Sequence, residues 1–459
     1  MNTFPNFDDT LEAKDIEFHF HGYTNAKKHL EVGPMIIENG EGIYVFDNEG
    51  NRYIEGLSGL WSVGVGFKEQ RLVDAVNRQM LKLPFYHNFG HKSHGPAIEF
   101  AEQLIALAPV PMSKVFYTNS GSEANDTALK MIWYRSNAMG KPEKKKVIAR
   151  QRGYHGVTIA AASLTGLPNN HRSFDLPIDR VLHTSSPHYW KDGRPGETEE
   201  DFATRCAEDL DALIRREGPE TIAAFFAEPV MGAGGVVTPP RTYFAKIQAV
   251  LAKYDILFVA DEVICGFGRT GNMFGSHTYD IRPDIMVMSK QITSSYIPFS
   301  ALMVNARVFD PIADESNRIG TFGHGFTAGG HPLGAAVALE NLAIIRERNL
   351  VENARDIGAH FLGRLEGLKS SPLVGEVRGV GLISAVELVN DKAGKSVDMP
   401  GTLGGLMNAA MQRNGLISRN MTDAVAFCPP LIITRNQADE MFEIIAKSLR
   451  EVETAVGAT

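Results

Sequence analysis

The sequence predicts an α/β fold with a mainly parallel central sheet and a second, smaller α+β domain. Six short apolar runs, separated by stretches with helical character, occupy the middle of the chain: KVFYT (114–118), KVIAR (146–150), TIAAFFAEP (221–229), ILFVADEV (256–263), DIMVMS (284–289) and SALMVN (300–305). Three of them start at residues 221, 256 and 284, and so 35 and 28 residues apart, which is the spacing of β-α-β units. Such runs are typical of strands that helices cover on both faces.

The two ends of the chain depart from this pattern. Residues 1–60 are predicted to form an arm followed by short strands, with a hairpin turn at 48–50 (Asn-Glu-Gly) between two alternating runs. A long amphipathic helix is predicted from Leu333 to Arg348, and helices and short strands alternate from there to residue 459. We therefore expect an N-terminal arm that joins the small domain (1–60), a large domain (61–330) and the C-terminal part of the small domain (331–459).

Length, charge and cysteine content narrow the class of protein. The chain has 459 residues, 44% of them apolar, which suffices for a large core. Its net charge of −8 does not favour binding to nucleic acid or to an anionic membrane surface. We find no run of about 18 uncharged apolar residues, as a membrane span requires, and the acidic start MNTFPNFDDTLEAKD has no signal-peptide core. Its three dispersed cysteines, Cys206, Cys265 and Cys428, suit a reducing compartment. We expect a soluble, cytoplasmic enzyme.

Reactive side chains follow two of the predicted strands. Ligands of open α/β sheets bind beyond the carboxyl ends of the strands. Asp261 and Glu262 stand at the end of one run, and strand alternation points them to opposite faces. A buried carboxylate is costly unless it meets a cation, and the sequence leaves open whether Arg269 is that cation. Lys290 follows another buried run, where desolvation lowers the pKa of a lysine and allows Schiff-base chemistry.

Small and aromatic residues follow two other strands. The segment TNSGSEAN (118–125) precedes a helix predicted over Ala124–Tyr134, so its backbone N–H groups can bind an anion at a helix N-terminus. An ordinary serine N-cap with an acidic first turn explains the same residues, and the sequence does not separate the two. Tyr154 and His155 lie between two glycines, where a ring either stacks on a planar ligand or belongs to a surface loop.

Two further patterns are set aside. The segment GFGRTG (266–271) is a literal G-x-G-x-x-G, but the residues beyond it are predicted as loop, whereas a nicotinamide-binding motif opens a helix directly after its strand. His19 and His21 form an H-x-H pattern on a possible strand. Because no third ligand is evident nearby, we predict no metal site.

A phosphate cradle, a stacking aromatic, a buried acid and a buried lysine, each after a strand, together describe a site for pyridoxal 5′-phosphate (PLP). At this point the sequence resembles the class III (omega) aminotransferases of the fold-type I PLP enzymes, and among them most the amine:pyruvate aminotransferases. The matching segments follow the family order along nearly the whole chain: GLSGLWSVGVGF (56–67), YTNSGSEANDTALKMIWY (117–134), GYHGVT (153–158), PHYW (187–190), FFAEPVMGAGGV (225–236), DEVICGFGRTG (261–271), SKQIT (289–293), HGFTAGGHP (324–332) and GLISR (415–419).

The resemblance implies a homodimer, a mostly parallel seven-stranded PLP-binding large domain and a small domain built from both chain ends. It implies that Lys290 holds the cofactor through a Schiff base and moves the proton, and that Asp261 pairs with the pyridine nitrogen. The other implied cofactor contacts are Gly121 and Ser122 at the phosphate, Thr327 at the phosphate of the neighbouring subunit's cofactor, Tyr154 and Val263 on the two ring faces, and Glu228 near the ring hydroxyl.

The resemblance also implies a substrate pocket. Arg419 would bind the carboxylate of a keto acid by a bidentate contact and move aside for an amine that has no carboxylate. Aromatic walls suit an apolar amine substituent, and the implied pocket residues are Tyr23, Trp61, Phe89, Tyr154 and Ala233. Close relatives can carry an arginine three residues after Phe89. Lys92 stands there instead, which puts a second carboxylate-binding role in doubt.

The reaction expected from the resemblance is ping-pong transfer of an amino group from a primary amine or omega-amino acid to a keto acid, with pyruvate as acceptor. A PLP-dependent aminomutase, racemase or decarboxylase shares Lys290 and Asp261, so only product analysis separates these reactions. A nicotinamide oxidoreductase needs a working G-x-G-x-x-G, and a non-catalytic binding protein has no need of the lysine, acid and phosphate loop together. The sequence leaves open the natural donor (a diamine, an omega-amino acid, taurine or an aromatic amine) and dimer against tetramer, while the resemblance favours S amines.

Overall fold

The N-terminal segment combines two short helices with a small sheet in the computed structural model, which describes residues 10–458. Its elements are α1 (Leu11–Phe18), α2 (Ala26–Val32), β1 (Ile37–Glu41), β2 (Tyr44–Asp47) and β3 (Arg52–Glu55). β2 pairs antiparallel with both β1 and β3, so the predicted hairpin is confirmed. The Asp47 carboxylate stabilises its turn by accepting hydrogen bonds from the backbone N–H of Asn51 (2.8 Å) and Glu49 (3.1 Å).

The possible strand at the H-x-H pattern is wrong. The Thr10 side chain accepts a hydrogen bond from Ala13 N (3.2 Å) and so begins helix α1. The helix ends at Phe18, His19 is its C-cap and His21 lies in the loop that follows.

A seven-stranded sheet forms the centre of the molecule. Its strands are β4 (Lys114–Thr118), β5 (Lys146–Arg150), β6 (Val181–Thr184), β7 (Ile222–Ala227), β8 (Leu257–Asp261), β9 (Ile285–Met288) and β10 (Ser300–Val304), in the order β4-β10-β9-β8-β7-β5-β6. β10 is antiparallel to both of its neighbours, and the other pairs are parallel. The mainly parallel α/β fold is therefore confirmed. The strand β6 was not predicted, because VLHT is short and carries a histidine.

Helices lie on both faces of this sheet. The helices of this part of the chain are α3 (Ser58–Trp61), α4 (Gln70–Lys82), α5 (Gly95–Leu107), α6 (Gly121–Ala138), α7 (Ile159–Leu164), α8 (Tyr189–Asp192), α9 (Glu199–Glu217), α10 (Tyr243–Lys253), α11 (Gly275–Thr278), α12 (Ala306–Ile319) and α13 (Pro332–Glu347). Three-residue 3₁₀ turns occur at Pro168–Asn170, Pro219–Thr221 and Lys290–Ile292. Alternate strand residues join two apolar clusters. Val259 lies in the cluster with residues of α6 and α12, and Ala260 in the cluster with residues of α9, α10 and α13.

The C-terminal part contains α14 (Leu350–Glu366), a 3₁₀ turn (Gly367–Ser370), β11 (Val374–Val380), β12 (Ile383–Leu388), α15 (Thr402–Arg413), β13 (Leu416–Ile417), β14 (Arg419–Met421), β15 (Ala424–Phe427) and α16 (Arg435–Val456). An antiparallel sheet has the order β11-β12-β15-β14. β13 instead pairs with β3, so the two ends of the chain share a sheet. The segment boundaries near residues 60 and 330 stay predictions. No helix within residues 10–458 has the length and apolar composition to cross a bilayer.

Candidate active site

A cavity of ≈150 Å³ lies where the carboxyl ends of β8 and β9 meet the N-terminus of α6. It is lined by Leu60, Gly121, Ser122, Tyr154, His155, Gly156, Glu228, Asp261, Val263, Ile264, Ser289 and Lys290. Every residue predicted to contact the cofactor within one chain is in this set. The sequence predicts that these residues follow strands, whereas only the order of the strands in the sheet shows that they lie around one cavity.

Lys290 is held in an unusual backbone conformation at the end of β9. Its φ of 48° lies in the left-handed region, which bulky residues seldom adopt and which the surrounding structure must stabilise. The carbonyl of Lys290 accepts a hydrogen bond from Ser295 N (3.1 Å), and the next carbonyl, of Gln291, accepts one from Asn341 Nδ2 (2.7 Å). Burial lowers the pKa of the Lys290 ammonium to about 8, against the opposing effect of the Asp261 and Glu228 charges.

Asp261 is buried and held by three donors. Its Oδ2 accepts hydrogen bonds from His155 Nδ1 (2.7 Å) and Asn125 Nδ2 (2.9 Å), and its Oδ1 accepts one from Val263 N (3.1 Å). The histidine nitrogen Nε2 has no hydrogen-bond partner among residues 10–458. His155 was predicted only as one of two rings that either stack on a ligand or belong to a surface loop, and its contact with Asp261, like that of Asn125, was not predicted. Asn125 could have been found as a polar residue on the inner face of α6, one turn after Ser122.

The neighbouring acid has a separate role, as alternation predicted. Glu262 accepts hydrogen bonds from Ser276 N (2.6 Å) and Gly275 N (2.9 Å), and burial raises its pKa to about 7. Arg269 contacts neither acid. Its guanidinium donates instead to the carbonyls of Leu382 (2.9 Å) and Pro429 (2.6 Å). Arg269 is therefore not the cation that pairs with Asp261 or Glu262, a point that the sequence left open.

The N-terminus of α6 forms an anion cradle. Ser120 caps the helix by accepting a hydrogen bond from Glu123 N (3.2 Å), which leaves the N–H groups of Gly121 and Ser122 at positions where a helix offers no internal acceptor. A Cβ on Gly121 would lie 3.1 Å from a methyl group of Val263, so the glycine keeps space beside the cavity. An N-cap and an anion-binding site are therefore compatible here, because Ser120 is the cap and different residues would bind the anion.

Glu228 ties the aromatic segment to the cavity. Its carboxylate accepts hydrogen bonds from Tyr154 N (3.0 Å) and Gly232 N (3.1 Å), and burial raises its pKa. Burial, followed by the nearby Tyr23 hydroxyl, raises the pKa of Tyr154, so the phenol is neutral. A phosphate cradle, a carboxylate with room for a cationic N–H and a desolvated lysine around one cavity fit the functional groups of PLP.

Tyr23 and Arg419 lie beside this cavity. The Tyr23 ring centroid is 6.4 Å from that of Tyr154 and 5.9 Å from the Arg419 guanidinium carbon. Tyr23 is further fixed by Asn170 Nδ2, which donates to its hydroxyl (2.5 Å). No carboxylate within residues 10–458 forms an ion pair with Arg419.

Two other predicted pocket residues lie away from the cavity lining. Trp61 is only 2% exposed and packs in an apolar cluster with Leu57 and Val230. Ala233 lines a separate cavity of ≈340 Å³ together with Arg152 and Arg378. Their substrate contacts stay predictions.

Phe89 and Thr327 lie on a different surface. Phe89 is 47% exposed and lines a groove of ≈1130 Å³ with His91 and Phe326, and Thr327 is exposed next to it. Neither lines the cavity of its own Lys290. Lys92 donates to the carbonyl of Gly90 (3.4 Å).

The G-x-G-x-x-G segment is a loop, as expected. β8 ends at Asp261, two residues earlier than the predicted Val263, and residues 262–274 form turns before the short helix α11. No helix N-terminus follows the glycines directly, so the nicotinamide alternative lacks its structural context.

Comparison with known proteins identifies the family. The family model for class-III aminotransferases matches residues 24–449. The gamma aminobutyrate transaminase 1, mitochondrial, of Solanum lycopersicum is 50% identical over 436 residues, which cover 95% of this chain and 85% of that protein. The omega transaminase of Pseudomonas jessenii in complex with PMP superimposes with a TM-score of 0.97 at 57% identity, covering 98% of this chain and 99% of the other. A transaminase solved with L-Ala has a TM-score of 0.91 at 64% identity, covering 92% and 100%. The chain therefore belongs to the class III aminotransferases, PLP-dependent enzymes of fold type I.

Proposed function

We propose that this aminotransferase moves the amino group of a primary amine or omega-amino acid to pyruvate in a ping-pong reaction in which Lys290 transfers the proton. The observation that carries the proposal is the convergence of Lys290, Asp261 and the α6 N-terminus on one cavity. When bound, PLP supplies an aldehyde carbon that accepts the amino group and a ring that takes up the electrons released at the substrate carbon.

Lys290 is suited to proton transfer because its amine is partly neutral near physiological pH. Its pKa is lowered to about 8 by burial, and a general base works best when its pKa is close to the operating pH. Positioned proton transfer contributes about 10²–10⁴-fold to a rate, so this side chain is expected to be indispensable.

Asp261 would hold a proton on the ring nitrogen of the cofactor. Two of its contacts, from His155 and Asn125, fix the carboxylate, and the helix N-terminus at Gly121 and Ser122 would bind the phosphate at the other end of the ring. These contacts would anchor the two ends of a planar ligand and leave Lys290 free to transfer a proton.

Arg419 would bind the carboxylate of the acceptor. Its guanidinium is half-buried, lies beside Tyr23 and has no carboxylate partner within residues 10–458. A bidentate arginine–carboxylate contact suits pyruvate. The relative from Solanum lycopersicum is a gamma aminobutyrate transaminase, which supports an omega-amino acid as a second candidate donor. The carboxylate of such a donor would use the same guanidinium in the first half-reaction that pyruvate uses in the second.

We also propose a homodimer in which Phe89 and Thr327 complete the neighbouring subunit's site. Phe89 lines an exposed groove, Thr327 is exposed beside it, and neither lines the Lys290 cavity of its own chain, which supports a role toward a partner. Sedimentation velocity is expected to give a species of about twice the chain mass of 50.3 kDa, and a monomeric active enzyme would contradict the proposal.

A cytoplasmic location remains our proposal for the compartment. Its support is that Cys206, Cys265 and Cys428 are all buried free thiols, as suits a reducing environment. Subcellular fractionation with an antibody tests it.

Product analysis tests the reaction. Incubation with 1-phenylethylamine and pyruvate is expected to yield acetophenone and alanine in equal amounts. Lys290→Ala should abolish both products, whereas Lys369→Ala, a change at a surface lysine that pairs with Glu366, should retain them. Because 1-phenylethylamine has no carboxyl group, the rival reactions are tested with an amino acid donor in its place. Carbon dioxide or an isomerised amino acid, formed without alanine, would favour the decarboxylase or aminomutase alternatives.

Arg419→Ala separates the two half-reactions. We expect the KM for pyruvate to rise roughly 10–100-fold, since a charge-assisted bidentate contact is worth about 1.5–3 kcal/mol. The KM for 1-phenylethylamine should change little. An equal rise for both substrates would contradict the acceptor-binding role.

A further inference from the structure

Three histidines surround one carboxylate in the N-terminal segment. His19 Nδ1 lies 3.0 Å from Asp15 Oδ2, His29 Nε2 lies 2.9 Å from Oδ1, and His21 Nε2 contacts both oxygens at 2.8 and 2.9 Å. The ring centroids of His19 and His21, and of His21 and His29, are 4.3 Å apart. The end of α1, the following loop and α2 thus bring four potential metal ligands together.

The chemistry of this group suits a transition metal. The ligand atoms of Asp15, His19 and His21 all lie within 4.8 Å of one another, and His29 adds a further imidazole nitrogen on the same carboxylate. Imidazole and carboxylate bind Zn²⁺ at about 2.0–2.2 Å, and most zinc sites have four ligands. An ion can therefore enter between the four side chains with small shifts of their rings.

The fold of the segment also favours a bound ion over hydrogen bonds alone. Neither α1 nor α2 has a buried residue, so this part of the chain lacks an apolar core of its own. Small units without a core commonly rely on a metal for their structure, and ion binding then contributes directly to folding. Three imidazoles on one carboxylate supply such a centre.

A second group of potential ligands shows the contrast. His188, Glu376 and Glu387 also lie close together, but the guanidinium of Arg378 already contacts both carboxylates, at 2.6 and 2.7 Å. In that cluster Arg378 already supplies the positive charge that a metal ion would bring. The cluster around Asp15 has no lysine or arginine ion pair among residues 10–458.

We propose that Asp15, His19, His21 and His29 bind one divalent transition-metal ion of the zinc class, which anchors the segment that carries Tyr23. Tyr23 lies between His21 and His29 in the chain and stands beside Tyr154 and Arg419. The ion site is independent of the reaction proposed above, whereas its effect on the substrate pocket rests on that reaction.

Zinc binding tests the site directly. The untagged holoenzyme is treated with a chelator, dialysed and titrated with Zn²⁺, and zinc per chain is measured by mass spectrometry. We expect one Zn²⁺ per chain and zinc-edge absorption with nitrogen and oxygen ligands at about 2.0–2.2 Å. Failure to retain zinc would overturn the proposal.

Ligand variants locate the ion. His19→Ala and His21→Ala should each weaken Zn²⁺ binding by at least about tenfold, in line with the 10–100-fold losses seen even for residues that only support a metal ligand. The His19 side chain is 66% exposed, so its removal leaves the fold intact. His360→Ala is the matched control, because His360 forms a similar contact (2.7 Å) with Asp439 but no second imidazole within residues 10–458 shares that carboxylate. Equal affinity in all three variants would mean adventitious zinc and would overturn the assignment.

The anchoring effect has its own measurement. Removing zinc from the holoenzyme should raise the KM for 1-phenylethylamine and leave the cofactor's absorbance unchanged, since Tyr23 is expected at the substrate and not at PLP. The His19→Ala enzyme should no longer respond to zinc. If the enzyme binds zinc but its KM does not change when zinc is removed, the anchoring role is wrong. The proposed reaction would not be affected by that result.

Discussion

Lys290 should react with an acylating reagent at a pH where ordinary lysines do not, because burial lowers the pKa of its ammonium to about 8. About 9% of the amine is then neutral at pH 7, against roughly 0.04% for an ordinary lysine with a pKa of about 10.4. The nucleophilicity of Lys290 toward an acylating reagent should therefore rise only about tenfold between pH 7 and 9 and then level off, whereas an unperturbed lysine rises about 100-fold.

The charges around the amine predict opposite shifts in two variants. Asp261 raises the pKa of Lys290 and Arg419 lowers it. Asp261→Asn should therefore move the midpoint to lower pH, and Arg419→Ala should move it to higher pH. Competitive labelling of the apoenzyme with trace acetic anhydride, quantified by mass spectrometry, measures both shifts, and the exposed Lys369 serves as internal standard. A midpoint near 10, or shifts of the same sign in the two variants, would refute the reasoning.

Three further changes test the cavity and the core. Gly121→Ala places a Cβ 3.1 Å from a Val263 methyl group, so crowding of about 1–3 kcal/mol should weaken PLP retention by roughly 5–150-fold. The control is Gly363→Ala, whose Cβ would have no atom within 4 Å. Equal PLP retention in the two variants would contradict phosphate binding at Gly121. Asn125→Ala removes a donor from the buried carboxylate of Asp261 and should lower the free energy of unfolding by about 1–3 kcal/mol in urea titrations, where no change would mean that water replaces the amide. Phe225→Ala empties a fully buried position of β7 and should cost about 3–5 kcal/mol, and a loss below about 1 kcal/mol would contradict the packing described.

The central sheet could be predicted because its signal is local. Each apolar run marks a buried strand, and KVFYT and KVIAR coincide with β4 and β5 to the residue. The short VLHT strand was missed, because its few residues lack a continuous apolar pattern and it lies at the edge of the sheet, beside β5. Strand order is a long-range property, and no local pattern could place β10 between β4 and β9.

The residues of the candidate site also differ in whether a local sequence pattern predicts them. Lys290 and Asp261 stand out because a charged residue directly after a buried strand is unusual. Their supporting partners do not, since the contacts of Asp261 with Asn125 and His155 join residues 136 and 106 positions apart. The H-x-H pattern alone predicts no metal site, because no third ligand is evident in the sequence around it. Helix α1 brings Asp15 next to His19, one helical turn away, and so provides a third potential ligand for the proposed site.

The visible absorption spectrum of the purified enzyme tests the central claim most directly. It is recorded alone, after addition of 1-phenylethylamine, and again after pyruvate. We expect the absorption band of the bound PLP to disappear with the amine and to return with pyruvate, and we expect no such cycle in Lys290→Ala. Two results would contradict the proposed amine:pyruvate transamination: the amine removes the band but pyruvate does not restore it, or neither substrate changes the band.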